Sequence, residues 1–274
     1  MGERFEKIKT RIITILLGVP LVFLIIHNGG TIFHLTVILL SVLGNIELWT
    51  IIKNREYRPS LLFSILLTNF YLFTRLSYEY ELNIDIIYFN LIFLVLVFLI
   101  FAEHFVFKKN KENMVTNIAI TFFISIYIGY LLSYLIFIRK LEQGHIYLSF
   151  VLFSTWMSDA AAYLVGVKFG KNHIFPKVSP NKTLEGSIGG VFGGVLSGLL
   201  FSFFAPLNLY LLAFLGLIIS ISGQIGDLFE SMIKRNFKVK DSGNMIPGHG
   251  GILDCMDSIL FSVPVLYYIL LFIL

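Results

Sequence analysis

The segment from residue 224 to residue 258 holds the side chains best suited to chemistry on phosphate groups. It reads QIGDLFESMIKRNFKVKDSGNMIPGHGGILDCMDS, with five acidic and four basic side chains. Asp227 and Lys234 recur at helical spacing, and Asp254 and Asp257 lie three residues apart, so each pair shares a helix face. Neighbouring carboxylates repel each other unless a cation lies between them, and Mg²⁺ binds one or two carboxylates together with substrate phosphates. The segment therefore predicts a magnesium site at Asp254 and Asp257.

A glycine-rich turn, Pro247 to Gly251, leads into the helix that carries these two aspartates. The free N–H groups and the dipole of a helix start attract anions, so Gly250 and Gly251 are predicted to bind phosphate. The small neighbours of His249 let a substrate approach the backbone, although a histidine between glycines also serves as a simple turn cap. The cations expected to neutralise a polyphosphate are Lys234, Arg235, Lys240 and His249.

Three further acidic positions and one basic loop lie earlier in the chain. Asp159 falls inside an apolar run, where a charge is costly, so a functional role is the first interpretation and a helix–helix hydrogen bond the alternative. The loop 168–185 offers Lys182 as the first choice for a substrate contact. Glu47 and Glu103 also interrupt apolar runs, but they lie near the predicted ends of their spans, and we expect them to be mainly structural.

The elements that must position these side chains are membrane helices. Of the 274 residues, 57% are hydrophobic and 14% are charged, against about a quarter charged in a soluble domain. Mean hydropathy is +0.83, and the apolar runs lack the alternation of barrel strands. The sequence predicts an all-α integral membrane protein, a polytopic bundle of about nine transmembrane helices. The predicted spans are 12–27, 31–52, 60–76, 84–106, 115–138, 146–167, 186–204, 208–229 and 258–274.

The basic residues predict the orientation of the bundle. With a cytoplasmic N-terminus, 18 of the 21 Lys and Arg residues fall on the cytoplasmic side, in line with the positive-inside rule. The polar loops 168–185 and 230–257 then share that side, and the C-terminus lies outside. We expect residues 1–145 to anchor or oligomerise the protein and residues 146–274 to form its catalytic half. The basic residues left outside are Arg75, Arg139 and Lys140.

Several protein classes are disfavoured by what the sequence lacks. A single cysteine, Cys255, permits no intramolecular disulfide and no multi-cysteine zinc site. No Gly-x4-Gly-Lys-Ser/Thr phosphate loop, His-Glu-x-x-His helix or Gly-x-Ser-x-Gly elbow occurs, so neither a P-loop ATPase nor a zinc protease is expected. The basic charge is mostly topogenic and touches anionic lipid, and no nucleic-acid partner is expected.

The polar segment resembles the signature of phosphatidate cytidylyltransferases, also called CDP-diacylglycerol synthases. The matching residues are Ser231-x-x-Lys234-Arg235-x4-Lys240-Asp241-Ser242-Gly243-x-x-Ile246-Pro247-x-His249-Gly250-Gly251-Ile252-x-Asp254-x-x-Asp257. Further matches are Ser158-Asp159, Ser179-Pro180-x-Lys182-Thr183-x-Glu185-Gly186 and Gly226-Asp227-x-x-Glu230-Ser231. The resemblance covers about the last 120 residues, and the N-terminal half matches only in character.

The resemblance implies an enzyme that uses Mg²⁺ to transfer a cytidylyl group from CTP to phosphatidate, giving CDP-diacylglycerol and pyrophosphate. It implies a metal site at Asp227, Asp254 and Asp257, with Asp159 as the candidate ligand of a second cation. Those first three aspartates and Lys234 would form the catalytic set. The implied phosphate contacts are Lys182, Arg235, Lys240, His249, Gly250 and Gly251. A bacterial-type inner membrane is the implied location.

Glycines recur at four-residue spacing in the seventh predicted span. Such a repeat lets another helix approach closely, so we expect it to serve packing. Together with the family resemblance, it is the basis for expecting a homodimer. The glycines are Gly186, Gly190, Gly194 and Gly198.

One position departs from the signature. The family has arginine directly after Asp254, where this chain has Cys255, which cannot form the bidentate clamp of a guanidinium. We therefore expect reduced activity. Two other functions stay open: a lipid or polyprenol kinase, which would release a nucleoside diphosphate, and a membrane transporter, for which Asp159 is the main support.

Overall fold

The structure, a computed structural model, describes residues 2–53, 56–107, 113–248 and 250–274, with side chains from residue 12 onward. Its helices are α1 Gly2–Asn28, α2 Gly30–Lys53, α3 Leu61–Glu79, α4 Ile86–Ala102, α5 Met114–Ile124, α6 Leu131–Lys140, α7 Gly144–Phe169, α8 Leu184–Phe201, α9 Leu209–Asn236 and α10 Ile252–Ile273. Two π-helical segments extend this set: Glu103–Phe107 continues α4, and Ser125–Tyr130 joins α5 to α6.

The prediction of an all-helical membrane bundle is confirmed. In the described part of the chain, eight helices are long and apolar enough to cross a bilayer, with α5, its π-helical segment and α6 forming one of them. The first predicted span lies in α1 as the shorter apolar stretch Ile12–Asn28. Helix α9 continues past its predicted span to Asn236 and α10 starts before its predicted span at Ile252, so both helices include the polar residues expected on them, and the connection between them is 237–251.

Side chains next to the helix starts explain where several helices begin. At four N-termini, a polar side chain accepts a hydrogen bond from a backbone N–H of the first turn, which satisfies a donor that the helix itself leaves free. The capping residues are Ser60 before α3, Asp85 before α4, Thr183 before α8 and Asn208 before α9.

A short β-hairpin forms in the loop that follows α7, where no strand was predicted. Strand β1, His173–Phe175, pairs antiparallel with β2, Ser179–Thr183. Glu185, in the first turn of α8, accepts hydrogen bonds from the N–H groups of Lys171 (3.1 Å) and Asn172 (3.2 Å). These bonds fix the base of the hairpin to α8. The strands are too short and too polar to show the alternation that predicts a sheet.

The glycine repeat packs α8 between α7 and α9. A Cβ on Gly186 would lie 2.9 Å from the carbonyl oxygen of Ala162 on α7, and a Cβ on Gly194 would lie 2.5 Å from the Ser220 Cβ on α9. The packing role predicted for the repeat is confirmed. Because neighbours within the chain fill these surfaces, the glycines give no support to the expected homodimer, which stays a prediction from the family resemblance.

Contacts place the connections at two opposite ends of the bundle. At one end, the N–H of Arg58, just before α3, donates to Asn117 Oδ1 in α5 at 2.7 Å. At the other end, Arg139 Nε donates to the carbonyl of Ile26 in α1 (3.0 Å) and Lys140 Nζ to that of Tyr78 in α3 (2.7 Å). These two cations cap helix C-termini, where positive charge is favourable. That explains why they lie apart from the other basic residues.

Candidate active site

Lys234, near the C-terminal end of α9, binds two carboxylates. Its Nζ lies 2.7 Å from Asp254 Oδ1 on α10 and also contacts Glu230 Oε2, one helical turn earlier. Glu230 is fully buried, so its contact with the ammonium group is what offsets the cost of burying that charge. Because Asp254 lies on α10, its ion pair with Lys234 joins α9 to α10.

Asp254 uses both carboxylate oxygens within the protein. Oδ1 faces Lys234, whereas Oδ2 accepts hydrogen bonds from Ser242 N (3.0 Å), Ser242 Oγ (2.9 Å) and Gly251 N (2.8 Å). A carboxylate offers about four acceptor positions, so these contacts leave little capacity for a metal ion. They are the contacts of a helix cap, with Asp254 bonding back to the start of α10.

Glu47, on α2, reaches the same helix start. Its side chain is buried, with the residue only 3% exposed. Oε1 accepts from Ile252 N at 2.9 Å, and Oε2 accepts from Leu253 N at 2.8 Å and Ser242 Oγ at 3.1 Å. The carboxylate therefore joins the N-terminal half of the chain to α10. We call the group that connects α2, α9 and α10 the latch; its members are Glu47, Glu230, Lys234, Ser242 and Asp254.

The turn before α10 depends on glycine. Gly248 and Gly250 have φ values of 82° and 101°, in the left-handed region. A Cβ on Gly250 would also lie 2.6 Å from Asp254 Oδ2. The N–H of Gly250 donates to the carbonyl of Ile246 (3.2 Å), and that of Gly251 donates to Asp254. The sequence predicted that these two N–H groups bind phosphate. To do so, each would have to exchange its present hydrogen bond for one to a phosphate oxygen.

A second set of carboxylates lies where α7, α9 and α10 meet. Asp159, Asp227 and Asp257 interact electrostatically with one another. Helices α9 and α10 approach closely here because Gly226 has no side chain, and a Cβ on it would overlap the carbonyl oxygen of Asp257. Few of the described residues bond to the three carboxylates: Asp227 Oδ1 accepts from Ser231 Oγ at 3.3 Å, and Asp257 Oδ1 from the adjacent backbone N–H. We call Asp159, Asp227 and Asp257 the acid group.

The hairpin carries Lys182 to the acid group. Lys182 Nζ lies 2.7 Å from Asp227 Oδ2, in agreement with its predicted place in the site. Arg235 fastens the hairpin to the end of α9, since its Nε donates to the carbonyl of Val178 (3.1 Å) and its Nη1 to that of Val239 (3.1 Å). Both predicted phosphate contacts therefore have protein partners in this structure, and their predicted roles stay predictions.

The remaining predicted residues lie around the connection 237–251. Lys240 is exposed and, among the residues that the structure describes, makes no ion pair. Cys255 is a free, exposed cysteine in the first turn of α10. His249 lies outside the described residues. Within the described ranges, no three His, Cys, Asp or Glu side chains are close enough to hold a metal ion by themselves.

Known proteins resemble this chain along almost its whole length. A model described as the cytidylyltransferase family matches residues 9–273. The chain belongs to the cytidylyltransferase family. The phosphatidate cytidylyltransferase of Bacillus subtilis (strain 168) is 35% identical over 274 residues, which cover 96% of this chain and 97% of that protein. That of Staphylococcus haemolyticus (strain JCSC1435) is 32% identical over 265 residues, covering 96% and 99%.

Membership of the cytidylyltransferase family confirms the resemblance read from the motifs and makes the chain a nucleotidyltransferase enzyme. The similarity is higher over part of the chain. The phosphatidate cytidylyltransferase of Staphylococcus aureus (strain COL) is 42% identical over 147 residues, or 53% of this chain and 56% of that protein. The family match begins at residue 9, so it includes the N-terminal half, where the motifs gave no resemblance.

Two residues near the site of this cytidylyltransferase-family chain were not singled out as functional, and both lie in the N-terminal half. Glu47 was expected to be mainly structural. Tyr127, in the π-helical segment, was not noticed; its buried hydroxyl has no hydrogen-bond partner among the described residues and interacts electrostatically with Asp227, Glu230 and Asp257. A tyrosine inside an apolar run gives no sequence signal, although π-helical turns are frequent at functional sites.

Proposed function

We propose that this enzyme uses Mg²⁺ to transfer the cytidylyl group of CTP to phosphatidate, giving CDP-diacylglycerol and pyrophosphate. The observation that carries the proposal is the meeting of the acid group with Lys182, at one end of the bundle. It occurs in a chain similar over 96% of its length to an enzyme named for this reaction. Carboxylates for a metal ion and a cation for phosphate are what a reaction between two anions requires.

The proposed reaction is a displacement at phosphorus. A phosphate oxygen of phosphatidate attacks the α-phosphorus of CTP, and the bond between that phosphorus and the oxygen that bridges to the β-phosphate breaks. Pyrophosphate leaves with the electron pair of that bond. A phosphate monoester with a second pKa near 6 is largely dianionic at neutral pH, so no side chain has to remove a proton. The protein's task is to bring the two anions together.

The acid group fits a magnesium ion better than the latch does. Its oxygens have fewer protein partners than those of Asp254, and carboxylates combined with substrate phosphates are the ligands that Mg²⁺ prefers. Asp227 and Asp257 would hold the ion, with Asp159 as the candidate ligand of a second cation. When bound, the ion neutralises phosphate oxygens and favours attack at the phosphorus.

The remaining residues bind and position the substrates. Lys182 exchanges Asp227 for a phosphate oxygen when CTP arrives, while the latch keeps α9 and α10 at a fixed separation so that Asp227 and Asp257 stay opposite each other. Lys240 is exposed two residues before Ser242 of the latch and meets the outer phosphates of CTP. Arg235 acts by holding the hairpin that carries Lys182. His249 stays a candidate phosphate contact.

The proposed location is a bacterial inner membrane, with the site on the cytoplasmic side. The distribution of basic residues supports a cytoplasmic N-terminus and an external C-terminus. Apolar side chains of α7 and α8 are exposed, and they suit the acyl chains of phosphatidate. These side chains are Tyr163, Leu164, Ile188 and Phe192.

The test is product formation by the purified protein in detergent micelles with phosphatidate and Mg²⁺, comparing CTP with ATP. We expect pyrophosphate and CDP-diacylglycerol with CTP only. Asp257→Asn should greatly reduce the formation of both products, whereas Glu81→Gln, which changes an exposed carboxylate at the opposite end of the bundle, should leave it unchanged. Cys255→Arg is included because the family has arginine at that position.

Each other outcome identifies a different function. Release of a nucleoside diphosphate with transfer of a γ-phosphoryl group would establish a lipid kinase. No product in either the parent or Cys255→Arg would contradict the proposed reaction. The transporter interpretation depended mainly on Asp159. Asp159 interacts electrostatically with Asp227 and Lys182, which instead associates this residue with the proposed site.

A further inference from the structure

We infer that Glu47, on α2 in the N-terminal half, is a positioning residue for the transfer reaction. Its carboxylate sets the position of the α10 N-terminus, and α10 carries both Asp254 and Asp257. The inference rests on the proposed function and goes beyond it, because it gives the N-terminal half a role in the rate of the reaction. Anchoring alone would not require such a residue.

The first argument is the way in which Glu47 meets α10. The first N–H groups of a helix have no partner within the helix, and its positive end favours a negative charge. Glu47 accepts from two consecutive N–H groups of this end, those of Ile252 (2.9 Å) and Leu253 (2.8 Å), with one oxygen each. This two-point contact fixes both the position and the direction of the helix start.

The second argument is the packing around the carboxylate. A Cβ on Gly243 would lie 2.7 Å from Glu47 Oε1, and one on Gly251 would lie 2.5 Å from Oε2. The chain before α10 therefore closes around the carboxylate with no space to spare. A glutamine cannot substitute without loss, because its NH₂ group would face a backbone N–H, and two donors cannot bond to each other.

The third argument connects Glu47 to the reacting groups. The Ser242 hydroxyl lies 3.1 Å from Glu47 and 2.9 Å from Asp254, which in turn binds Lys234 on α9. One turn further along α10 lies Asp257, in the acid group. A shift of the helix start therefore moves Asp257 relative to Asp227. Lys182 lies on the hairpin, outside this chain of contacts, so substrate binding should suffer less than catalysis.

The experiment compares Glu47→Gln with Glu103→Gln, which alters another carboxylate of the N-terminal half that lies away from α10. We expect Glu47→Gln to lower kcat about 10-fold to 100-fold, as loss of buried hydrogen bonds to a charge implies. The KM for CTP should change less than about threefold, and Glu103→Gln should leave both constants unchanged. A spin label on Cys255, the single cysteine, should become more mobile in Glu47→Gln only.

Melting temperatures separate positioning from general stability. The inference is overturned if Glu47→Gln keeps the parent's kcat, or if its activity falls only in proportion to the folded fraction. If Glu47→Gln does not fold, Ser242→Ala applies the same kcat and KM test, since it removes the hydroxyl shared with Asp254. If the parent makes no pyrophosphate, the proposed reaction fails, and an unchanged spin label in Glu47→Gln would overturn the inference independently.

Discussion

The latch and the acid group are both rich in carboxylates, yet they are built differently. In the latch, Asp254 accepts from Lys234 and two backbone N–H groups, Glu47 accepts from two backbone N–H groups, and the two carboxylates share the Ser242 hydroxyl. In the acid group, three carboxylates interact electrostatically, with Lys182 as their one ion-pair partner among the described residues. Carboxylates with satisfied hydrogen bonds hold helices in place, whereas the small number of donors around the acid group fits its proposed role in binding a cation.

The difference assigns separate tasks to residues that the signature places side by side. Asp254 and Asp257 are three residues apart on one helix, but Asp254 points into the latch and Asp257 belongs to the acid group. Changes in the latch should therefore reduce stability and activity together. Changes in the acid group should reduce activity alone.

The largest expected effect is that of Lys234→Met in the latch. Removing the ammonium group leaves Glu230 buried and unpaired, and breaking such a pair costs about 3–5 kcal/mol of unfolding free energy. The double variant Lys234→Met with Glu230→Gln should recover part of this loss. Unfolding experiments in mixed micelles measure the unfolding free energies of the single and the double variant. A variant as stable as the parent, with a raised KM for CTP, would instead support the phosphate contact predicted from the sequence.

In the acid group, Asp257→Asn should lower kcat by on the order of 10²–10³-fold, the typical cost of losing one group that stabilises charge in a transition state. Its melting temperature should equal or exceed that of the parent, because repulsion within the acid group falls. Pyrophosphate release and thermal unfolding test the two statements. If activity falls only in proportion to the folded fraction, Asp257 would have a structural role like that of the latch residues.

Cys255→Arg tests whether the family's arginine can be restored at the boundary of the two groups. Cys255 is exposed, so the longer side chain can be accommodated. A new charge-assisted hydrogen bond to phosphate would raise kcat/KM about tenfold. The matched control is Cys255→Ser, which should leave kcat/KM unchanged. Equal gains in both variants would show that loss of the thiol, and not the guanidinium, is responsible.

The smallest expected effect is that of Arg235→Lys. Lysine cannot bind the carbonyls of Val178, in the hairpin turn, and Val239, after α9, in the fixed geometry of a guanidinium, so Lys182 loses part of its support. We expect the KM for CTP to rise about twofold to threefold with kcat retained, since one exchanged hydrogen bond is worth about 0.5–1.5 kcal/mol. A fall in kcat without a change in KM would indicate a direct role for Arg235 in the reaction.

Local patterns predicted the fold and part of the site. Apolar runs gave the spans, glycine spacing gave the packing of α8, and the basic loop gave Lys182. What could not be predicted depends on contacts between distant parts of the chain. Glu47 meets Ser242 across 195 positions, and no local pattern distinguishes it from Glu103. For the same reason, sequence reasoning placed Asp254 with Asp257 in one metal site, although hydrogen bonds with Ser242, Gly251 and Lys234 occupy Asp254.

The division of tasks between the two groups is tested most directly by metal binding. Mn²⁺, a paramagnetic substitute for Mg²⁺, can be titrated by electron paramagnetic resonance with an α,β-methylene analogue of CTP, which cannot react. We predict that Asp227→Asn weakens Mn²⁺ binding at least about tenfold, as expected for loss of a charged ligand, whereas folded Asp254→Asn binds as the parent does. Weakened binding in Asp254→Asn with normal binding in Asp227→Asn would contradict the account.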